Sequence, residues 1–424
     1  MANPKPIQTT PTPRHTVSER KLQTPSGAGI YLSVPYCRQK CTYCNFASAV
    51  RPIAELPRYL NALQWEILRC RELWEEAGLP PQLPVAADSI YLGGGTPGLL
   101  NPAQLASLLH AVRTTFEIHR EAEITLEASP ENVTVENAAA WSSIGINRVS
   151  LGVQSMIMKE LRAVGRTHTA ARVAEAVVNL RSSGIDNISV DLIAGLPHQT
   201  AESWNATLQA VVDLEPTHLS VYMLEVDQDS SLGGELLRGG NRYGASVVPS
   251  DELVVELYTR AVERLADAGF LHYEISNFAR PGGSSRHNEK YWMNIPYFGF
   301  GVDAHSFDGE HRWANVDSIA SYLERRDQGL HPIQERKKLE PAEKLAERFF
   351  LGLRRRQGIS LPMIESEFGD SFPEELRETI REYCDGGWLE TAEGWLRLTD
   401  QGVLFSNEVF AGLLAGEAAT GTGV

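Results

Sequence analysis

Cysteine is scarce in this sequence. There are five in 424 residues, and three of them fall between positions 37 and 44. That is too few, and too unevenly spread, for a disulfide framework in a chain this long, so a reducing compartment with a metal site is the better expectation. Long apolar runs are missing as well. No stretch approaches the roughly 18–20 uninterrupted apolar residues that span a bilayer, and residues 1–28 lack the apolar core of a secretory signal. No integral membrane segment is expected, and the expected location is cytoplasmic. Basic residues are outnumbered, with 39 Lys and Arg against 54 Asp and Glu and a formal net charge of -15. Such a balance repels a phosphate backbone, so nucleic acid is not expected as a partner. What is present is 42% hydrophobic residues, enough to bury a large core, and a length that suggests two or three domains.

The first 28 residues are rich in Pro, Thr, Lys and Arg and read as a flexible tail, because they hold too few apolar groups to offset the entropy of ordering. From Ile30 onward short apolar runs alternate with helical periodicity. Strands are predicted over 30–35, 89–92, 124–128, 148–153, 188–193 and 219–224, with helices near 56–76, 102–116, 134–143, 170–183, 202–213 and 252–270. Asn101 before Pro102 has the residue types of a helix start. Six alternations of near-continuous apolar strands with helices predict an α/β core with a parallel sheet. Periodicity alone leaves a partial barrel and an open doubly wound sheet both possible. The stretch from Asn277 to Pro332 reads as loop-rich. After Pro341 a smaller α+β domain is expected, with helices near 342–355, 361–367 and 373–384, a hairpin around Glu393-Gly394, and a closing helix over 400–414. That order is winged-helix-like. The expected division is a tail over 1–28, the barrel core over 29–300, a connecting segment over 301–340, the C-terminal domain over 341–416 and a flexible end over 417–424.

Cys37, Cys41 and Cys44 follow the first strand at C-x3-C-x2-C spacing. A structural zinc site needs a fourth ligand, and none is near in sequence. A [4Fe-4S] cubane normally takes four thiolates, so three leave one iron open. The amino and carboxylate groups of S-adenosylmethionine (SAM) can fill that position, and an electron from the cluster can then break the sulfur–C5′ bond to give a 5′-deoxyadenosyl radical. The bland alternative is three small buried hydrophobes, which is how the isolated Cys70 and Cys384 read. Gly93-Gly94-Gly95-Thr96-Pro97 ends the second strand, where absent side chains let backbone approach a ligand. Glu127, Gln154 and Asp191 sit at successive strand ends, where a polar group in an apolar strand is costly unless a partner or ligand satisfies it. Glu225, after the sixth strand, is a weaker member of that series.

Tyr31, Pro35, Tyr36 and the run from Cys37 to Phe46 resemble the oxygen-independent coproporphyrinogen III oxidase-like family of the radical SAM superfamily, and the similarity continues to the C-terminal domain. The resemblance implies a partial (βα)6 barrel core. It implies SAM contacts from Tyr31, Tyr43, Gly94, Gly95, Thr96, Glu127, Gln154, Arg166 and Asp191, with Arg166 suited to a carboxylate. The oxidases of the family carry a further cysteine two positions after the third, where this chain has Phe46. The pattern C-x3-C-x2-C-x-F, with His287-Asn288 and Tyr291-Trp292, is similar to the haem-chaperone branch. That branch implies haem as ligand and an acceptor haem protein of respiratory type; residue chemistry makes His287 the candidate for the iron, against a hydrogen-bonded structural role, with Tyr291 and Trp292 as stacking partners and Arg286 as a partner for a propionate. The alternative is oxidative decarboxylation of coproporphyrinogen III. A radical modifier of RNA or peptide is a third reading, which the net charge disfavours.

Overall fold

A computed structural model describes residues 27–45, 48–50, 52–79, 86–369 and 372–418. The expected N-terminal tail up to residue 26, Phe46 and residues 419–424 lie outside the described residues. Six strands form the parallel heart of the core: β1 (Ala28–Val34), β2 (Ala86–Gly94), β3 (Glu117–Ala128), β4 (Arg148–Gln154), β5 (Asn187–Ala194) and β6 (His218–Met223). They lie side by side in chain order. A doubly wound sheet reverses its order part-way, whereas consecutive order winds every crossover in one sense and leaves the helices on one face. The core is therefore a partial barrel.

The long helices that follow these strands are α1 (Leu56–Glu76), α2 (Pro102–Thr115), α3 (Val135–Ser143), α4 (Ala170–Ser182), α5 (Ala201–Asp213) and α6 (Asp251–Asp267). Asn101 starts α2 as its residue type predicts. Its side chain accepts from Gln104 N at 3.0 Å, and the Gln104 side chain accepts from Asn101 N at 3.0 Å, a reciprocal cap with Pro102 in the first turn.

The stretch expected as loop is instead more sheet. Beyond β6 come β7 (Leu271–Glu274) and β8 (Asn277–Ala279), in the spatial order β6-β8-β7. Beyond β1 come β9 (Tyr297–Phe300), parallel to β1, then the antiparallel β10 (His305–Phe307), β11 (His311–Asn315) and β12 (Ile333–Lys338). Two helices, α7 (Arg286–Trp292) and α8 (Ile319–Asp327), lie in the same stretch. Strands this short, separated by Gly, Asp and His, leave a period no room to show. The sheet thus runs on through the expected connecting segment 301–340.

A second correction concerns the strand faces, which are not uniformly apolar. Ile30, Leu32 and Val34, Ile90 and Leu92, Val149, Leu151 and Val153, and Leu219 and Val221 are buried on the helix side. The residues between them are polar or small: Tyr31 and Ser33, Ser89 and Tyr91, Arg148 and Ser150, Ser189 and Asp191, His218 and Ser220. Successive side chains of a strand point to opposite faces, so this second set turns into the barrel lumen.

The C-terminal unit follows its expected order, with helices Pro341–Gly352, Leu361–Phe368 and Glu374–Asp385 and a small sheet of Ile359–Ser360, Trp395–Leu398 and Leu389–Ala392. Both residues of its hairpin turn, Glu393 and Gly394, have positive φ (53° and 81°), as a two-residue turn matched to strand twist requires. The closing helix is broken at Phe405 into Asp400–Leu404 and Ser406–Ala418. No helix among the described residues is long and apolar enough to cross a membrane.

Glu66 of α1 ties the outer strands to the core. Its carboxylate is 3% exposed and accepts from Gly301 N (2.8 Å), Asn315 Nδ2 (2.7 Å) and the Tyr322 hydroxyl. Burial lifts this carboxyl to about 7 although the three hydrogen bonds favour the ionised form, and Glu127 and Glu274 are lifted to about 7 in the same way. The folded state therefore binds more protons than the unfolded chain between the ordinary carboxylate range and about pH 7, so these groups make stability fall as pH rises through that window. The buried neutral imidazoles of His218, His272 and His287 act in the opposite direction below their ordinary pKa, so the Glu66 contribution is read in thermal melts from pH 5 to 7.5 as the wild-type Tm minus that of Glu66→Gln, a difference expected to fall as pH rises. Glu66→Gln is expected to destabilise by about 1–3 kcal/mol, because its NH2 would face either Asn315 Nδ2 or the Gly301 amide and Tyr322 hydroxyl, all donors to the present carboxylate.

Candidate cluster and cofactor site

The cysteine loop sits on the C-terminal rim of the barrel. From Val34 the chain passes through Pro35 into a two-residue strand, Tyr36–Cys37, paired with Ala49–Val50. The turn between them carries Cys41 and Cys44. Backbone bonds hold the loop to its surroundings: Gly95 N to Val34 O (3.0 Å), Thr96 N to Tyr36 O (2.9 Å), Thr42 N to Val164 O (3.3 Å) and Leu232 N to Thr42 O (2.7 Å). The Thr96 hydroxyl donates to Cys37 Sγ at 3.6 Å, and Cys44 Sγ lies 3.7 Å from Ser48 Oγ.

All three thiols are half-buried and free. Burial raises the Cys37 thiol most; hydrogen bonds from Thr96 and Ser48 oppose it, and the neighbouring Cys44 and Cys41 raise it further. Thiols that repel one another's charge are the donor set that a cationic iron cluster relieves. Among the described residues no three His, Cys, Asp or Glu side chains are spaced to hold a metal ion. A four-iron cubane spreads its thiolates more widely than a single ion does, so the two observations are compatible.

The glycine run lets backbone pack closely against the cysteine loop. A methyl group on Gly95 would stand 2.7 Å from Tyr36 N and O and 2.8 Å from Val34 O, all backbone atoms. Gly94 has φ +101°, and its amide favours the ionised Glu127 carboxylate by hydrogen bonding. The Gly95 amide is used by Val34 O at the end of β1 and the Thr96 amide by Tyr36 O at the start of the cysteine loop. What these residues build is the junction between β2 and the cysteine loop.

The other rim residues converge from different strands. Glu127 accepts from the Tyr91 hydroxyl at 2.8 Å. Asp191 accepts from Ser220 (2.8 Å), Ser150 (3.1 Å) and Ser189 (3.4 Å); burial raises its carboxyl while these hydroxyls lower it. Gln154 has φ +68° at a register slip after Gly152, an uncommon conformation for a residue other than glycine. A methyl group on Gly152 would stand 3.2 Å from both Arg166 Nη2 and Gln154 Nε2, so the amide and the guanidinium share one spot. Arg166 also donates to the Tyr43 hydroxyl at 3.4 Å, and its Nε is buried without a partner. Tyr31 stacks on Tyr91 at 6.2 Å. Glu225 lines a surface cleft of about 570 Å³ with Val226, Leu237 and Asn407.

His287 belongs to the opposite end of the lumen. The Glu123 carboxylate accepts from the backbone amides of Arg286 and His287, both at 3.2 Å, and so fixes the start of α7. The ring is 1% exposed, with Nδ1 bonded to Ser89 Oγ (3.0 Å) and Nε2 to the Tyr291 hydroxyl (2.9 Å). Burial, with Lys290 and Arg148 nearby, pulls the imidazole down to about 3. An iron ligand at this position requires one of those bonds to be given up. Tyr291 packs edge-on to His287 and Tyr297, Trp292 carries the Arg354 guanidinium at 4.5 Å, and Arg286 Nη1 donates to Glu121 O at 2.8 Å. The motif thus closes the lumen floor and holds the C-terminal unit.

Sequence reasoning missed Tyr91, Arg148, Ser150, His218 and Ser220, which line the same lumen. Their signal was the strict two-residue alternation in every parallel strand. Gly95→Ala is expected to destabilise the protein by about 1–3 kcal/mol in chemical denaturation, since the methyl meets backbone rather than a movable side chain.

The sequence pattern of the radical SAM superfamily matches residues 31–211, and that of the HemN C-terminal domain matches residues 339–405. A Bacillus subtilis protein named heme chaperone HemW is 31% identical over 91% of this chain and 98% of its own length. A Mycobacterium tuberculosis protein of the same name is 32% identical over 91% and 94%. Among solved structures, Escherichia coli coproporphyrinogen III oxidase (HemN), described as a radical SAM enzyme, superposes with a TM-score of 0.78 at 22% identity, over 92% of this chain and 91% of that one. The chain belongs to the radical SAM superfamily and, within it, to the HemN-like family that contains the proteins named heme chaperone HemW.

Proposed function

We propose that this chain is a cytoplasmic haem chaperone built on a radical SAM core. In this reading Cys37, Cys41 and Cys44 hold a [4Fe-4S] cluster, the rim binds SAM, and the protein binds haem and passes it to an acceptor haem protein such as a respiratory enzyme. The observation that carries the reading is similarity to relatives named heme chaperone along nearly the whole of both chains. Phe46, where the resembling oxidases have a cysteine, supports it against coproporphyrinogen decarboxylation.

The bound cluster would supply an open iron for the amino and carboxylate groups of SAM and the electron that breaks its sulfur–carbon bond. The chain's own residues do the placing. Arg166 offers its planar fork and an unpartnered Nε to a carboxylate. Glu127 and Asp191 accept hydrogen bonds from opposite sides of the lumen, and Gln154 is turned into the same space by its backbone. Gly94, Gly95 and Thr96 fix the distance between that space and Cys37.

Protein reconstituted anaerobically with iron and sulfide is expected to carry about four irons per chain, and the Cys37→Ala, Cys41→Ala, Cys44→Ala triple variant to lose them. Haem titration is expected to give a saturable Soret band. Decarboxylated product from coproporphyrinogen III with SAM and reductant would instead establish the oxidase reading.

For His287 to ligate haem iron, α7 has to release the ring from Ser89 or Tyr291. His287→Ala is therefore expected to lower Tm without haem and to weaken haem binding with a displaced Soret maximum. An unmoved maximum and unchanged affinity would remove His287 from the haem site.

A further inference from the structure

β4 ends in a strained turn. Ser155 N donates to Val153 O at 2.8 Å, a bond that closes around Gln154, whose φ is +68°. This is the positive-φ form of the γ-turn, which is costly for a residue with a side chain and persists only where its surroundings hold it. The turn brings the Gln154 amide to the spot that it shares with the Arg166 guanidinium.

Two buried groups hold this turn. On one side the Ser155 hydroxyl donates to Glu160 Oε2 (2.6 Å) and accepts from Ile157 N (2.9 Å), which fastens the turn to the short helix Met158–Ala163 that follows it. On the other side the His168 ring, 2% exposed, has Nε2 3.0 Å from Val153 O. A carbonyl oxygen can only accept, so Nε2 carries the proton, and Val153 O takes one bond from the imidazole and one from Ser155. His168 comes from beyond the short helix, on the segment that carries Arg166, and Val164 O of that segment accepts from Thr42 N of the cysteine loop (3.3 Å). Its Nδ1 faces Glu131 Oε1 at 3.7 Å, and the Thr167 hydroxyl donates to the same oxygen at 3.2 Å. Glu131 belongs to the turn Pro130–Asn132 that follows β3. One imidazole thus joins the strained turn, the Arg166 segment and the loop after Glu127. A leucine would fill the same space; what histidine adds is an N–H aimed at the carbonyl that closes the turn.

We propose that His168 is a positioning residue of the rim site: its Nε2–H grips Val153 O and holds the γ-turn closed, so that the Gln154 amide stays aimed, together with Arg166, at the bound cofactor. Without that grip the turn can relax toward extended backbone. Successive strand residues face opposite sides of the sheet, so relaxation carries the amide away from Arg166.

The inference rests on the reading that the rim binds SAM, and the test separates the two. SAM affinity of the cluster-loaded protein is measured by anaerobic equilibrium dialysis for wild type, His168→Leu, His168→Gln, Gln154→Gly, and Gln154→Gly combined with His168→Leu. Hydrogen–deuterium exchange of the segment 153–157 is followed by mass spectrometry in the same proteins. His168→Leu is expected to speed that exchange about ten-fold and to weaken SAM binding about ten-fold. His168→Gln, whose side-chain amide can donate to Val153 O, is expected to bring both back to within about three-fold of wild type. Gln154→Gly leaves no amide to aim and no strain to hold, so adding His168→Leu to it is expected to weaken SAM binding by no more than about two-fold. Segment exchange that is unchanged in His168→Leu, or a loss of SAM affinity that persists undiminished in the Gln154→Gly background, overturns the role given to His168. If wild type binds no SAM while exchange responds as expected, the rim reading fails and the clamp on the turn stands. Should His168→Leu not fold, His168→Asn, whose amide is one carbon shorter than that of Gln, carries the same comparison.

Discussion

The two-residue alternation of the parallel strands is the constraint from which the rest of the molecule follows. Each strand buries one row of Ile, Leu and Val beneath the helices and turns the other row into the lumen. Because side-chain period and sheet pleat coincide, a slip of one residue in any strand would push the aliphatic row into the lumen and the carboxylates into the core. The same pattern therefore secures the fold and gathers the polar groups.

A polar lumen creates its own demand for order. Serines from three strands meet Asp191, tyrosines stack along β1 and β2, and two histidines kept neutral by burial have hydroxyls on both nitrogens. Buried polar groups of this kind are stable only when partners are supplied, and they specify geometry more sharply than apolar packing does. Among the described residues the buried atoms without a hydrogen-bond partner include Arg148 Nε, Thr125 Oγ1 and Arg166 Nε.

Backbone devices set the rim against this interior. Gly95 allows the cysteine loop to lie directly on β2, and the register slip at Gln154 turns an amide that regular strand geometry would have placed elsewhere. At the other end Glu123 caps α7 and so closes the floor. Both ends of the lumen are thus defined by local interactions on a common sheet. The outer strands β9 to β12 extend that sheet past the barrel, fastened through Glu66.

Much of this was legible in the residues. The cysteine spacing, the six strands, the first five helices and the hairpin at Glu393-Gly394 all announce themselves locally, because caps, turn glycines and helical period act over a few positions. The loop-like stretch from 277 to 332 was misread because β8 to β11 are too short to carry a period. β9 in particular is a strand because β1 lies beside it, a partner more than 260 positions away.

The sequence by itself determined the type of core, the thiol set and the family, since each is written in short-range spacing or in a pattern repeated from strand to strand. Only the tertiary structure decided that the sheet is wound in one sense, that Gly95 serves packing, and that His287 is sealed in the floor with both nitrogens engaged. These are facts about which strands become neighbours, and contacts between residues far apart in the chain exist only after the backbone has closed on itself.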